Sequence, residues 1–532
     1  MASDLLISNG RIIDGTGSPW FEGDIEISDG TIAAIHRGGH ERSAERHIDA
    51  NGNIVCPGFI DTHSHSDIEL FNDPTLAPKI QQGITTEILG QDGFSMTPLY
   101  REGAAKEWED HLSGLNGRTE RSLDWESTAD YFDAIESNGI APNVAMLIGH
   151  GTVRYNVLGM SDKKPTEDQL DEMGDLVTES LEQGAIGFST GLVYMPQYNS
   201  DTHEVQELAA RLKPYKRPFV AHIRRERFGI WEAFDEFMDI GAEEGIPLHH
   251  SHFKLIGAPN HGKADRALEL VEYARDRGID YVGDQYPYLA GSTMLTALLP
   301  PWIKQQSPGK MLDKLQDPEI RERLEKDIEE WRIDDWRNPG KYSGWESIRI
   351  SSVNSTENEK FVGKNVLEIS TEKGVSPVST ICDLLVEEDL QVTMTLHHLN
   401  EKDMRKILQS ERICVSTDGI FGGGKPHPRL YGTYPKILGK YVREENLLSV
   451  EAAIRKMTSL PARIFNLDAK GIIRPGMDAD LVIFDPDLIG STATFERPRQ
   501  YPDGVENVLV NGEVVVEDTE VTGELPGEVI RA

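Results

Sequence analysis

Apolar and polar positions along this chain follow two different rhythms. Near the start they alternate in short runs broken by turn residues. Leu5-Leu6-Ile7 leads into Asn9-Gly10, Arg11-Ile12-Ile13 follows, and Asp24-Ile25-Glu26-Ile27 alternates before Asp29-Gly30. An Asn-Gly or Asp-Gly pair between apolar runs is the strongest local hairpin signal, because both residues accept positive φ. The far end has the same texture, with Ala479–Phe484 reading as a strand and Val508–Val516 as a hairpin around Asn511-Gly512. Two β-rich ends around a different middle predict one small β domain built from residues 1–56 and 470–532.

In the middle the period lengthens. Thr166-Glu167-Asp168-Gln169 fits a capping box, and Leu170, Met173, Leu176, Val177 and Leu181 then mark one helical face. Gly184 reads as a C-cap, after which Ala185–Ser189 reads as a buried strand. Phe219–His222, a helix near 231–244 and Ile246–His249 repeat the pattern. His222 and His252 are thus spaced by roughly 30 residues, about one βαβ unit. Repeated units of this size imply a parallel sheet, open or closed into a barrel, over residues 57–291 and 347–469. Residues 292–346, with several prolines and the charged run Glu319–Trp336, break the rhythm and predict an inserted small helical domain in the position of a lid. No Gly-x-Gly-x-x-Gly follows the first strand of the middle region, so a dinucleotide fold gains no support.

Composition narrows the function classes. Hydrophobic residues make up 38% of 532, enough for a real core, which excludes a wholly disordered chain. The balance of 89 Asp and Glu against 54 Lys and Arg gives a net charge of −35. A surface that acidic repels phosphate backbones and anionic lipid, so neither nucleic acid nor membrane is an expected partner. It reads instead as a solvated surface suited to a salt-rich habitat, a halophilic trait. Cys56, Cys382 and Cys414 are too few for a disulfide framework, and no apolar run or leader pattern marks a span or a signal peptide. A soluble, cytoplasmic protein is expected.

The chemistry lies at predicted strand ends. His63-Ser64-His65 follows the run Ile54–Ile60, and residues i and i+2 of an extended segment point to the same side, so both imidazoles can reach one metal ion. His222 and His252 close apolar runs, and Asp418 ends Arg412–Asp418. Function on a barrel gathers at the C-terminal ends of its strands, and four histidines with one aspartate at such ends make a metal-site constellation.

Longer motifs run almost end to end. They include Asp4-Leu5-Leu6-Ile7-Ser8-Asn9-Gly10, Pro57–Asp67, Gln82-Gly83-Ile84-Thr85-Thr86, Gly149-His150-Gly151-Thr152 and Ser189-Thr190-Gly191-Leu192. They continue in His222-Ile223-Arg224, Ser251-His252-Phe253-Lys254 and Asp284-Gln285-Tyr286-Pro287-Tyr288, then Ser416-Thr417-Asp418-Gly419, His427-Pro428-Arg429 and Gly476–Leu481. In these the chain resembles the amidohydrolase superfamily and, within it, the D-aminoacylase (N-acyl-D-amino-acid deacylase) family. The resemblance implies an α/β fold: a (β/α)8 TIM-like barrel with a β domain from both termini and an inserted small domain. It implies His63, His65, His222 and His252 as metal ligands, Asp418 as the acid/base carboxylate, and Lys254, Tyr286 and Ser292 as contacts to the substrate carboxylate. Arg429 is a second candidate anion clamp, or an Arg bonding loop carbonyls. His150, His397 and His398 are candidates for an outer supporting role.

One departure stands out. Where the family commonly has Asn-Cys-Gly, with the cysteine a metal ligand, this chain has Gln91-Asp92-Gly93. Asp92 is either an oxygen ligand, which suits Zn²⁺ and admits Mn²⁺, Co²⁺ or Fe²⁺, or a turn cap. One or two ions are open. The expected activity is hydrolysis of the amide of a small N-acyl-D-amino acid, with Asp418 passing the proton of an activated water to the leaving amine. A cyclic amidase of the dihydroorotase or hydantoinase kind is the rival; those relatives typically carry a carbamylated lysine, and none stands near residue 92 or at the end of Val144–Ile148. A non-catalytic assembly protein is the third reading. The oligomeric state is open, a homo-oligomer included.

Overall fold

The structure, a computed structural model, describes residues 3–38, 43–101, 103–334 and 336–532. Residues 1, 2 and 39–42 of the expected β domain, Glu102 of the expected barrel and Asp335 of the expected insertion lie outside the described residues.

Strands from both ends share one nine-stranded sheet. Leu481–Phe484 pairs antiparallel with Ile54–Pro57, which runs parallel to the end of Ser3–Ile12. Alternate residues bury Ile7, Ile25, Val55, Ile483 and Leu509 in one core. Two of the three expected turns form: Asp29-Gly30 joins Phe21–Ser28 to Thr31–His36, and Asn511-Gly512 joins Val505–Val510 to Glu513–Glu517, all four turn residues at positive φ. Asn9-Gly10 is a correction. Ser3–Ile12 runs straight through it, and Asn9 at φ 57° absorbs a register shift between Ile7 and Gly10 as a bulge. A Cβ on Gly10 would lie 2.6 Å from Val55 Cγ2, so the glycine serves close strand packing here.

The middle closes into a barrel of eight parallel strands. In order they are Phe59–Asp61, Ile84–Leu89, Asn143–Met146 continued by Ile148–Gly149, Phe188–Gly191, Phe219–His222, Leu248–His250, Tyr281–Gln285 and Ile413–Val415. The last meets the first where the Asp418 N–H donates to the His63 carbonyl at 2.9 Å. Ile60, Ile88, Ala145, Ile186, Val220, Val282 and Cys414 fill the interior. The helix Glu167–Glu182 carries its capping box, Thr166 and Gln169 bonding each other's backbone N–H. No helix among the described residues is long and apolar enough to cross a membrane.

The inserted unit is larger than the rhythm implied. Ala290–Met294, Ile348–Ser352 and Thr393–His397 form an antiparallel sheet with the third strand in the centre. The helices Pro308–Gln316, Pro318–Glu329 and Pro377–Glu387 join this sheet around a core of its own that includes Leu315, Leu324, Ile350, Leu385 and Met394. Residues 348–397 therefore pack with the insertion, not with the barrel where the range 347–469 had put them. Their strand–helix–helix–strand order looks like another barrel repeat locally; only the antiparallel pairing separates the two.

Candidate metal and substrate site

Loops at the C-terminal ends of the barrel strands bring the six expected side chains together. His63 and His65 follow the first strand, Asp92 the second and His252 the sixth, His222 ends the fifth, and Asp418 follows the eighth; all are buried. Asp92 lies at the centre. Its Oδ1 is 3.7 Å from His63 Nε2, 3.6 Å from His222 Nδ1 and 3.5 Å from His252 Nε2, and its Oδ2 is 3.9 Å from His65 Nε2. Asp418 Oδ1 faces His65 Nε2 at 3.3 Å and His63 Nε2 at 3.7 Å. His63 Nε2, His65 Nε2, His222 Nδ1 and Asp92 Oδ1 have no hydrogen-bond partner despite burial. Buried polar atoms are normally satisfied, so lone pairs converging at 3.5–3.9 Å are what a cation between them would use. Among the described residues the donors form three groups able to hold a divalent ion, and Asp92 belongs to two of them, with His63 and His65 and with His222 and His252.

The backbone is held in uncommon conformations to aim these groups. Asp92, His252 and Asp418 have φ of 57°, 37° and 49°, and such values in non-glycine residues cluster at functional sites. Beneath them, Asp61 accepts from the Thr417 N–H and, at 2.8 Å, from the buried Lys79. Asp284 accepts from the His252 N–H at 2.8 Å and from His249 at 2.5 Å. Gln197 donates to the Asp92 carbonyl at 2.9 Å. A Cβ on Gly191 would meet that carbonyl at 2.4 Å, which accounts for the glycine in Ser189-Thr190-Gly191-Leu192.

Electrostatics point the same way. Burial alone would raise the Asp92 carboxyl, but the surrounding histidines hold it well below the usual carboxylate range. The same opposition applies at Asp418, where Arg429, at 2.8 Å from Oδ2, and then His63 outweigh burial. Burial and Lys254 resist charge on His252, yet Glu226 and Asp92 push it up to about 10. Three carboxylates in this space keep their charge and draw positive charge among them.

Glu226 is the residue that sequence reasoning missed. Its Oε2 is 3.1 Å from His222 Nε2, and its Oε1 is 3.2 Å from His252 Nδ1 and 2.5 Å from Lys254 Nζ. It thus occupies the outward nitrogen of two histidines and leaves their inward nitrogens to face Asp92. Four positions after His222 and behind Arg224 and Arg225, it reads in sequence as part of a surface charge run.

The sequence pattern of the amidohydrolase family matches residues 46–296 and 345–516. The chain belongs to the amidohydrolase family. Among its relatives is the D-aminoacylase of Alcaligenes xylosoxydans xylosoxydans, 32% identical over 99% of this chain and 97% of that one. The N-acyl-D-glutamate deacylase of the same organism is 34% identical over 99% and 96%. The crystal structure of N-acyl-D-glutamate deacylase from Bordetella bronchiseptica, complexed with zinc and a phosphonate mimic of the tetrahedral intermediate, superposes with a TM-score of 0.84 at 31% identity, covering all of both chains.

In this amidohydrolase the site opens into a cavity of about 1050 Å³, mouth included, walled by the barrel loops and the inserted sheet. Lys254, Tyr286 and Ser292 line it. The Tyr286 hydroxyl is buried without a partner, while Ser292 Oγ already donates to the Met394 carbonyl at 3.1 Å. Arg429 lies behind them, 4.6 Å over the Tyr286 ring and paired with Asp418; its one loop-carbonyl bond, to Ser292, is 3.3 Å long. Asp92 Oδ1 is buried without a hydrogen-bond partner instead of accepting from a turn N–H. His150 is tied to Thr190 and Glu204 at 2.9 Å each, and His397 packs on Phe495, so neither faces the cluster. His398 does line the cavity.

Proposed function

We propose that this amidohydrolase cleaves the amide bond of N-acyl-D-amino acids, giving a carboxylate and a free D-amino acid. The observation that carries the reading is the ring of partnerless histidine nitrogens around Asp92, set against Asp418 on the floor of a cavity lined by Lys254 and Tyr286. The relatives' substrates supply the class.

His63, His65, Asp92, His222 and His252 would hold Zn²⁺, with Mn²⁺, Co²⁺ or Fe²⁺ admitted by the carboxylate oxygen. Bound there, such an ion supplies Lewis-acid polarisation of the scissile carbonyl and of water. Asp418 moves the proton. Arg429 holds Oδ2 and keeps the group ionised, and Oδ1, turned to the histidine cluster, takes a proton from the attacking water and delivers it to the amine nitrogen as the C–N bond breaks. Lys254 and Tyr286, with Ser292 beside them and Arg429 behind, receive the α-carboxylate through charge-assisted hydrogen bonds and fix which face of the amide meets Asp418. The inserted unit brings Trp336 and Met394 to the cavity wall, where they exclude water. All three cysteines are free and buried, which supports a reducing, cytoplasmic setting.

A panel of N-acyl-D- and N-acyl-L-amino acids, assayed with several divalent metals, tests the reading. Cleavage of N-acyl-D-amino acids alone is expected. Opening of hydantoins or dihydroorotate without cleavage of any N-acyl-D-amino acid would overturn it.

A further inference from the structure

The cavity holds more positive charge than one α-carboxylate requires. Among the described residues six Lys and Arg side chains line it, against the three carboxylates Asp92, Glu226 and Asp418, all gathered at the histidine cluster. Four of the six are engaged, Arg225 over the Phe228 ring at 5.5 Å among them. Lys254 pairs with Glu226, Arg224 with Glu236 at 2.8 Å, and Arg337 donates to backbone carbonyls. Lys304 and Arg227 differ. Among the described residues neither has a carboxylate within ion-pair distance, although Lys304 is only 9% exposed and the Arg227 Nε is buried without a partner. They also feel each other: burial, with Arg227 repelling it, lowers the Lys304 ammonium to about 8. The Lys304 ammonium lies over the Tyr198 ring, 5.8 Å from its centre.

Two cations in one cavity wall with no carboxylate in ion-pair contact cost stability, and an anion shared by them reduces the cost. We propose that Lys304 and Arg227 form a second anion subsite, which receives a further carboxylate on the substrate beyond the one on its α-carbon. This rests on the N-acyl-D-amino-acid reading and sharpens it: the substrates are dicarboxylates. The extra carboxylate comes either from an acidic side chain, as in N-acyl-D-glutamate or N-acyl-D-aspartate, or from a dicarboxylic acyl group, as in an N-succinyl-D-amino acid.

The test compares kcat/KM for N-acetyl-D-glutamate, N-acetyl-D-aspartate, N-succinyl-D-leucine and N-acetyl-D-leucine, in the natural protein and in Lys304→Met. A preference for the acetylated acidic amino acids places the carboxylate on the side chain; a preference for the succinyl compound places it on the acyl group. In Lys304→Met the ratio of dicarboxylate to N-acetyl-D-leucine kcat/KM is expected to fall about 10–100-fold, mainly through KM, the loss typical of one charge-assisted hydrogen bond. Arg227→Gln reads the same ratio should Lys304→Met fail to fold. A natural protein that favours N-acetyl-D-leucine, or variants that lower all substrates equally, would overturn the subsite while leaving the deacylase reading intact. No cleavage of any N-acyl-D-amino acid would overturn both.

Discussion

The cavity and the outside of this protein carry opposite charge. Inside, among the described residues, six Lys and Arg side chains outnumber three carboxylates; across the chain, 89 Asp and Glu outnumber 54 Lys and Arg. The difference shows that net charge reports on solvent and local charge reports on substrate. At physiological ionic strength the field of an exposed charge fades over about 8 Å, so most of the acidic surface is invisible from the cavity. Cations buried in a cavity wall are screened far less. An anionic ligand is therefore compatible with a molecule of charge −35, provided the wall and not the rim decides its binding.

The sharpest way to break the comparison is at the centre of the cavity. Asp418→Asn keeps the shape and removes the charge that accepts the proton. Turnover of the best substrate should fall by about 10²–10⁴-fold, the span typical of a general acid–base group. Metal content, measured on the purified variant by elemental analysis, should be unchanged. Substantial residual turnover would return Asp418 to the status of one more acidic residue. Loss of metal would make it a ligand.

That residue was legible without a structure, and so were the others of its kind. His63, His65, His222, His252 and Asp418 each close an apolar run, and strand ends are where a barrel keeps its chemistry. Asp29-Gly30 and Asn511-Gly512 made most of both terminal strand sets legible because such turns are local, whereas Asn9-Gly10, inside one strand, looks the same locally. What stayed hidden was not local. Glu226 gains its role from two histidines on different strands. The second half of the insertion, 348–397, differs from a barrel repeat only in which strands it pairs with, and pairing leaves no mark on periodicity. The cationic wall was hidden for the same reason. Arg227 and Lys304 are far apart in the chain, and an average over the whole sequence buries both under the acidic majority.

Glu226 offers a smaller, more specific test. If its carboxylate orients His222 and His252, Glu226→Gln should weaken binding of Zn²⁺ by about 10–100-fold, the usual cost of removing an outer carboxylate partner. Turnover should recover at saturating metal. A turnover deficit that persists at full occupancy would show that Glu226 acts on the substrate instead, through Lys254 at 2.5 Å.

The mildest effect belongs to the outside. Crowded like charges repel one another, and added salt screens them, so raising the salt concentration from about 0.1 M to 1 M shrinks the Debye length from roughly 10 Å to 3 Å. The melting temperature should rise by a few degrees, and kcat/KM should rise a few-fold as the acidic surface stops repelling an anionic substrate. The buried cations set the opposite expectation for the bound state. Because Lys304 is 9% exposed and Lys254 lies deep beside Glu226, salt should leave the dicarboxylate preference nearly unchanged. A thermal melt and a substrate panel run at both salt concentrations read the two regions separately. Unchanged melting and full activity at low salt would refute a role for the acidic surface. A dicarboxylate preference that collapses in salt would place the attracting charges on the exposed rim.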